Sequence, residues 1–521
     1  MTDAPRQPAG VILADLVRHD ARLFPGKPAV RIDGKAITFA ELAARVDAVA
    51  AILGRHVRPG DRVGLWMHNS FAWIATFLAL DGLGAVSVPV NTRLTAGELR
   101  VILHDAGARA LVTTPRYRGR DYLDEALAAT RGDATGLLVV AASDDCPPEA
   151  WPVHPGPGAP PPAAPVAIDD FFCIQYTSGT TATPKGVMLT NAAYIRTAAY
   201  TARCQRLTPS SSFISGAPFF HCSGTMHALT TCLLAGCTLT AMSAWDPERF
   251  LDDAHRYRCD VSHMIYFRDV LALGAPGARD KLASMRVAHD LGTRDYLARI
   301  HDELGIDGIS NLYGMTETAG QYTMWFPDDP LEKRLSGNGR TQPGNRIRIG
   351  SPDTGAELPP GAVGEIQMRG VTITPGYFNR PAANTDAFTA DGWLRSGDLG
   401  SISDEGELRY IARLKELIRT GGENLAPAEV EQALRDATGA QQVCVVGIPD
   451  ARLDEVPAAV VVGARDADWP AVMAVLRGRL AGFKIPKAVY AARELPLTAT
   501  NRVQRAVLKA WIADGRLDRV A

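Results

Sequence analysis

Apolar residues in this chain follow two alternating periods. After Thr38 and Glu41, the residues Leu42, Val46, Val49 and Leu53 share one helical face. The Thr38/Glu41 spacing predicts a capping box, in which a hydroxyl and a carboxylate satisfy the first free N–H groups of a helix. Thr95 and Glu98 repeat the signal ahead of Leu99 and Leu103. Short β-branched runs at 85–88 and 136–140 read as buried strands. Such alternation predicts an α/β fold of layered, largely parallel sheets.

The Pro/Gly/Ala-rich stretch 147–165 is expected to form neither helix nor sheet. It reads as a surface excursion rather than a domain boundary, because the strand–loop–helix unit after it needs a sheet to join. The boundary is placed at 413–415. Residues 1–412 then form a large N-terminal domain of layered α/β subdomains, and residues 416–521 a small mobile C-terminal α+β domain. In the small domain Pro427 opens a helix through Leu434, residues 443–448 and 458–462 read as strands, and 471–480 as a helix. No internal repeat is visible.

At 521 residues the chain can hold several cores. Its 55 basic and 57 acidic residues leave a net charge of -2, so neither nucleic acid nor a membrane surface is expected as a partner. The start, Met1-Thr2-Asp3-Ala4-Pro5, lacks the apolar stretch of a signal peptide, and the longest apolar run, 72–80, is too short for a membrane span. Eight cysteines without a C-x-x-C pair read as reduced thiols of a cytoplasmic protein, not as a disulfide framework or metal cluster.

The segment most suggestive of chemistry is Tyr176-Thr177-Ser178-Gly179-Thr180-Thr181-Ala182-Thr183-Pro184-Lys185-Gly186, after an apolar run, 171–174, that reads as a strand. Its hydroxyls, glycines and lysine offer many donors and one cation to a polyphosphate. It is not a Walker A loop, because Pro184 precedes the lysine and Gly186 follows it. Further motifs follow in order: Pro218-Phe219-Phe220-His221, Asn311-Leu312-Tyr313-Gly314-Met315-Thr316-Glu317, Gly392-Trp393-Leu394-Arg395-Ser396-Gly397-Asp398, and Thr420-Gly421-Gly422-Glu423-Asn424.

Together these motifs resemble the ANL superfamily of adenylate-forming enzymes, over nearly the whole chain. The resemblance implies an ATP-dependent, AMP-forming ligase that uses Mg²⁺ and, as probable co-substrate, CoA. It assigns Thr177, Ser178, Gly179, Thr180, Thr181 and Lys185 to the phosphates, and Tyr313 and Gly314 to adenine. Thr316 falls to the α-phosphate, Glu317 to the metal, and Asp398 and Arg413 to ribose. His221 lies beside the acid pocket, Lys415 is the hinge, and Gly421 and Gly422 line the acceptor tunnel. Lys185, His221, Thr316 and Arg502 are the implied catalytic residues.

Departures from the family lie chiefly on the acid side. Asn501 and Arg502 stand where the family has glycine and lysine; a planar fork replaces a compact ammonium. His289-Asp290-Leu291-Gly292-Thr293 replaces a Gly-Gly-Ala-Pro stretch, and Met264-Ile265-Tyr266-Phe267-Arg268-Asp269 a Val-Pro-Thr stretch, so Arg268, His289 and Gly292 are pocket candidates. Ala182 replaces a glycine of the phosphate loop. These changes point to a small, polar or charged substrate rather than a long fatty acid, and the expected acid is small and aromatic or polar. The expected activity is an acyl- or aryl-CoA ligase. The alternatives are a diazotase of secondary metabolism, activating nitrite for an aryl amine, and a silent nucleotide-binding relative. The expected partners are the small-molecule acid and its nucleophile, with a homodimer left open.

Overall fold

The computed structural model describes residues 12–130, 137–155, 171–177, 184–263, 267–352, 354–420, 423–450, 452–497 and 503–521. The chain divides into two units. The first holds residues up to Ile347 together with Met368–Leu394 and Gly406–Leu408. The second holds Arg348–Gln367, Arg395–Glu405 and Arg409–Ala521, and so draws on two segments that precede residue 413 in sequence.

In the first unit both capping boxes form. Glu41 N donates to Thr38 Oγ1 at 3.2 Å and Thr38 N to Glu41 Oε2 at 2.8 Å, opening helix Phe39–Leu53 with Leu42, Val46, Val49 and Leu53 buried. The Thr95/Glu98 pair opens helix Ala96–Ala106, which ends at Gly107 in the left-handed region, φ 58°. The 72–80 run belongs to helix Phe71–Gly82, buried from Phe71 to Asp81, so it is apolar all round because it lies in the core. No described helix is long and apolar enough to cross a membrane.

Two seven-stranded sheets form the frame. The first runs Gly308–Ser310, Val287–His289, Val261–His263, Ser212–Ser215, Thr238–Ala241, Pro28–Ile32, Lys35–Thr38, parallel except for the last pair. The second runs Lys185–Leu189, Cys173–Thr177, Val86–Pro89, Arg62–Trp66, Ala110–Thr113, Leu138–Ala141, Val153–His154, with a parallel centre and antiparallel edges. One hydrophobic cluster draws on both sheets and on the helices Phe39–Leu53 and Phe71–Gly82, giving the layered α/β arrangement that the periodicity predicts. The eight cysteines are free thiols, seven of them buried.

Two expectations need correction. Part of the Pro-rich stretch is ordered: Pro148–Ala150 makes a 3₁₀ turn and Val153–His154 pairs with Leu138–Ala141. Trp151, 4% exposed, donates its Nε1 proton to Ser143 O at 3.1 Å, so an edge strand and one buried indole outweigh the local composition. Residues 156–165 lie outside the described residues. The strand read at 171–174 starts later, at Cys173, and runs to Thr177.

The second unit contains the predicted small-domain elements. Helix Pro427–Thr438 runs past Leu434 to Gly439, φ 65°, and strands Gln442–Asp450 and Asp454–Val462 form a long antiparallel hairpin. Ala488–Ala491 joins the hairpin in parallel, and helix Trp469–Arg479 packs in the same cluster. Buried Glu431 accepts from Val445 N at 2.9 Å and pairs with Arg505 Nη2 at 2.9 Å, while Arg505 Nε reaches Glu416 at 3.2 Å. Arg505→Met strands the Glu431 charge and should destabilise this unit by about 3 kcal/mol, measured by urea unfolding.

Candidate active site

The phosphate-loop motif begins at the end of strand Cys173–Thr177 and finishes at the start of strand Lys185–Leu189. Strands Cys173–Thr177 and Lys185–Leu189 pair antiparallel, with Thr177 opposite Lys185 as the last pair. Thr177 and Lys185, the described ends of the motif, therefore face each other across one strand pair. Ser178, Gly179, Thr180 and Thr181 lie outside the described residues. The Lys185 ammonium sits 5.0 Å from the centre of the Tyr377 ring, a cation–π contact. Tyr377 is held beside the hairpin: Phe378 N donates to Gly186 O at 2.8 Å, Met188 N to Gly376 O at 3.0 Å, and Asn384 Oδ1 accepts from Tyr377 N at 2.6 Å.

Tyr377 also reaches the next motif. Its hydroxyl donates to Glu317 Oε1 at 2.8 Å, so one side chain joins the phosphate-loop lysine to the carboxylate expected at the metal. Glu317, 7% exposed, sits on a 3₁₀ turn, Thr316–Thr318, closed by Gly320 N to Met315 O at 2.9 Å. Tyr313 is buried on strand Leu312–Tyr313 and Thr316 is half-buried. Gly314 packs so closely that a Cβ would stand 2.4 Å from Gln321 Cα. Among the described residues no group of three His, Cys, Asp or Glu side chains is arranged to hold a metal. A single buried carboxylate fits an Mg²⁺ that arrives on nucleotide phosphates, since Mg²⁺ keeps waters and takes one or two carboxylates.

His221 is half-buried; its Nδ1 accepts from Ser223 N at 3.2 Å and meets Ser223 Oγ at 2.9 Å, which places the ring proton on Nε2. Asn69 fixes the preceding turn, accepting from Phe219 N at 2.7 Å and donating to Ala217 O at 3.0 Å. On the acid side the candidates part company. Arg268 is exposed and lies over the Tyr296 ring at 5.3 Å. Gly292 backs on the same ring, where a Cβ would stand 2.2 Å from Tyr296 Cδ1, and its carbonyl accepts from Asn311 Nδ2 at 2.9 Å. Residues Met264, Ile265 and Tyr266 lie outside the described residues.

His289 is fully buried and belongs to a group that sequence reading missed. The rings of His227 and His263 stack at 4.1 Å, and those of His263 and His289 lie at 5.2 Å. Gln205 Nε2 meets His263 Nδ1 at 2.8 Å and His289 Nδ1 at 3.3 Å. Burial pushes His227 and His289 down to about 3 and His263 well below its usual range, so the rings are neutral. His227 Nδ1, His263 Nε2, His289 Nε2 and Gln205 Oε1 have no hydrogen-bond partner among the described residues. Each such group costs about 1–3 kcal/mol when buried.

In the second unit Asp398, 2% exposed, lies on strand Leu394–Ile402, and Arg413 Nε at the end of strand Leu408–Arg413 stands 3.2 Å from its Oδ1. The turn before Asp398 is set by Glu365, which accepts from Gly397 N at 3.2 Å and pairs with Arg395 at 3.1 Å. Lys415 lies on the 3₁₀ turn Leu414–Glu416. Gly421, Gly422 and Arg502 lie outside the described residues. Tyr377 and Glu365 carried no sequence signal, because their partners are distant in the chain and only folding brings them close.

Asp290 gives a test of the acid side. Burial raises its carboxyl to about 7, against the Tyr296 hydroxyl that donates to it at 2.6 Å. A raised carboxyl pKa favours the folded state at low pH, and that stability is lost as pH rises from the unfolded value, 3.8, through about 7. Asp290→Asn should therefore melt about 2–4 °C above the parent at pH 8, with the gap narrowing as pH falls through about 7 and closing below the unfolded value, 3.8, in paired thermal scans.

The chain matches the AMP-binding enzyme family over residues 17–378 and the AMP-binding enzyme C-terminal domain over residues 429–502. It is 34% identical over 495 residues to feruloyl-CoA synthase of Amycolatopsis sp, covering 93% of this chain and 95% of that one. The ATP-bound crystal structure of MatB from Rhodopseudomonas palustris superposes with a TM-score of 0.83 at 29% identity, covering 96% of this chain and 99% of that one. The o-succinylbenzoate CoA synthetase MenE from Bacillus subtilis, solved with its acyl-adenylate intermediate, gives 0.79 at 27% identity, covering 95% and 97%. The chain belongs to the AMP-binding enzyme family of the ANL superfamily and is an ATP-dependent, AMP-forming ligase.

Proposed function

We propose that the chain is an acyl- or aryl-CoA ligase that adenylates a small polar or aromatic acid and passes the acyl group to CoA. The observation that carries this reading is the link from Lys185 through Tyr377 to Glu317, which puts a cation and a metal-binding carboxylate on one rigid support. The similarity to feruloyl-CoA synthase and to the acyl-adenylate-bound MenE supports the acid and the acceptor.

In the first step a carboxylate oxygen attacks the α-phosphorus of ATP and pyrophosphate leaves. All the reacting groups are anionic, so the chain acts by positioning and neutralising charge. Lys185 meets the phosphates, Thr316 donates to the α-phosphate, and Tyr377 holds Glu317 in place. Bound Mg²⁺ would add positive charge to the phosphates. Asp398, acceptor-only when ionised, takes the ribose hydroxyls beside Arg413. Arg502 supplies a further cation for the α-phosphate and the acid. In the second step the CoA sulfur attacks the acyl carbon, AMP leaves, and the thiol proton passes to solvent. The second step needs the acceptor let in, and Lys415 is the point about which the C-terminal part turns.

A second reading, nitrite activation for transfer to an aryl amine, draws on the polar acid side and on Arg502. Release of AMP from ATP separates the two. The ligase reading expects AMP with a carboxylate and CoA; AMP with nitrite and an aryl amine, and none with carboxylates, overturns it. Glu317→Ala and Asp398→Ala should each lower turnover about 100-fold or more, and Tyr377→Phe about 10-fold. Near-normal turnover in the first two would remove the site assignment.

A further inference from the structure

Asp105 lies in the last turn of helix Ala96–Ala106, where the helix dipole favours cations over carboxylates. Its two oxygens are taken by residues far along the chain. The Tyr176 hydroxyl donates to Oδ2 at 2.7 Å and Arg380 Nη2 to Oδ1 at 2.5 Å, across 71 and 275 positions. Burial and the neighbouring carboxylate raise the Tyr176 phenol above its usual range, so the hydroxyl keeps the proton that it donates. Asn379, just before Arg380, stands in the left-handed region at φ 51°, a backbone state that needs support from its surroundings.

Both partners of Asp105 bear on Gly186, the residue after Lys185. Tyr176 stands opposite Gly186 in the strand pair, and a Cβ on Gly186 would lie 3.1 Å from Tyr176 Cζ, so the ring rests against the Gly186 backbone. Phe378 N, two residues before Arg380, donates to Gly186 O at 2.8 Å. Tyr377 beside it carries the Lys185 ammonium on its ring and Glu317 at its hydroxyl. One carboxylate thus fixes the two segments that place Lys185. The Asp105 and Arg380 side chains are 17% and 26% exposed, and an ion pair in contact with solvent contributes little stability, so its effect is on geometry.

We propose that Asp105 and Arg380 are positioning residues for ATP: with the Tyr176 hydroxyl they form a clasp that holds Lys185 and Tyr377 in place for the phosphates that leave as pyrophosphate. Neither residue touches the nucleotide. The proposal rests on the assignment of Lys185 to the phosphates, and not on the identity of the acid or of the acceptor.

The test measures the Kd of the full chain for Mg·ATP and for AMP, with the Tm of each variant alongside. Asp105→Ala and Arg380→Met should each raise the Kd for Mg·ATP about 5-fold or more. The Kd for AMP, which lacks the phosphates that Lys185 meets, should stay within about 2-fold, and Tm within about 3 °C of the parent. Tyr176→Phe keeps the ring against Gly186 and removes only the hydroxyl; it should weaken Mg·ATP about 3-fold or more. Added to Asp105→Ala it should cause no further loss, since the partner of the hydroxyl is already gone. Arg380→Lys should return Mg·ATP binding to within about 2-fold of the parent, because a single Nη2 makes the contact. Unchanged ATP affinity in the variants, or ATP and AMP weakened alike, overturns the proposal, as does a parent that does not bind Mg·ATP. If the two charge variants fail to fold, Tyr176→Phe decides by the same ratio of ATP to AMP affinity. AMP release with a carboxylate and CoA tests the ligase reading separately: a parent that binds Mg·ATP and releases no AMP removes that reading and leaves the binding ratios to decide the clasp.

Discussion

Strands Val261–His263, Val287–His289 and Gly308–Ser310 pair in parallel and in step, so that His263, His289 and Ser310 finish side by side. Parallel strands must end at the same edge, and whatever follows each one gathers there. The Asp290–Thr293 turn, the Tyr313–Gly320 segment and the π-helical turn of His227 share this edge for that reason. The rest of the first unit serves the arrangement: the helix Phe71–Gly82 fills the shared core, and Asn69 at its entry fixes the turn that leads to His221.

The two sides of the Tyr313–Gly320 segment differ electrostatically. Around Lys185, Tyr377 and Glu317 the groups are charged, and the tyrosine couples a cation on its face to a carboxylate at its hydroxyl. Around His227, His263 and His289 burial keeps every ring neutral. A polyphosphate and its metal suit the first environment.

The second unit follows the same logic on a smaller scale. Glu365 sets the turn that delivers Asp398, and Arg413 meets that carboxylate from the neighbouring strand. Arg505, three residues beyond Arg502, is engaged with Glu416 and Glu431. Its role is therefore to hold the unit together, distinct from the part assigned to Arg502.

Capping boxes at Thr38 and Thr95, the core face of helix Phe39–Leu53 and the two strands at 443–448 and 458–462 were all legible in the sequence, because each depends on residues within a few positions of one another. The family was legible as well, since its motifs are short and contiguous. Trp151 anchoring an edge strand in a Pro-rich stretch was not, because its partner strand was formed elsewhere. Tyr377 lies 60 residues from Glu317, and Gln205 lies 58 and 84 residues from the two histidines that it orients. No local pattern encodes such meetings. The sequence by itself determined the elements, the α/β layering and the chemistry of nucleotide activation. Only the tertiary structure decided which polar groups are buried together, and which are left without partners, because burial belongs to the packed chain and not to any segment of it.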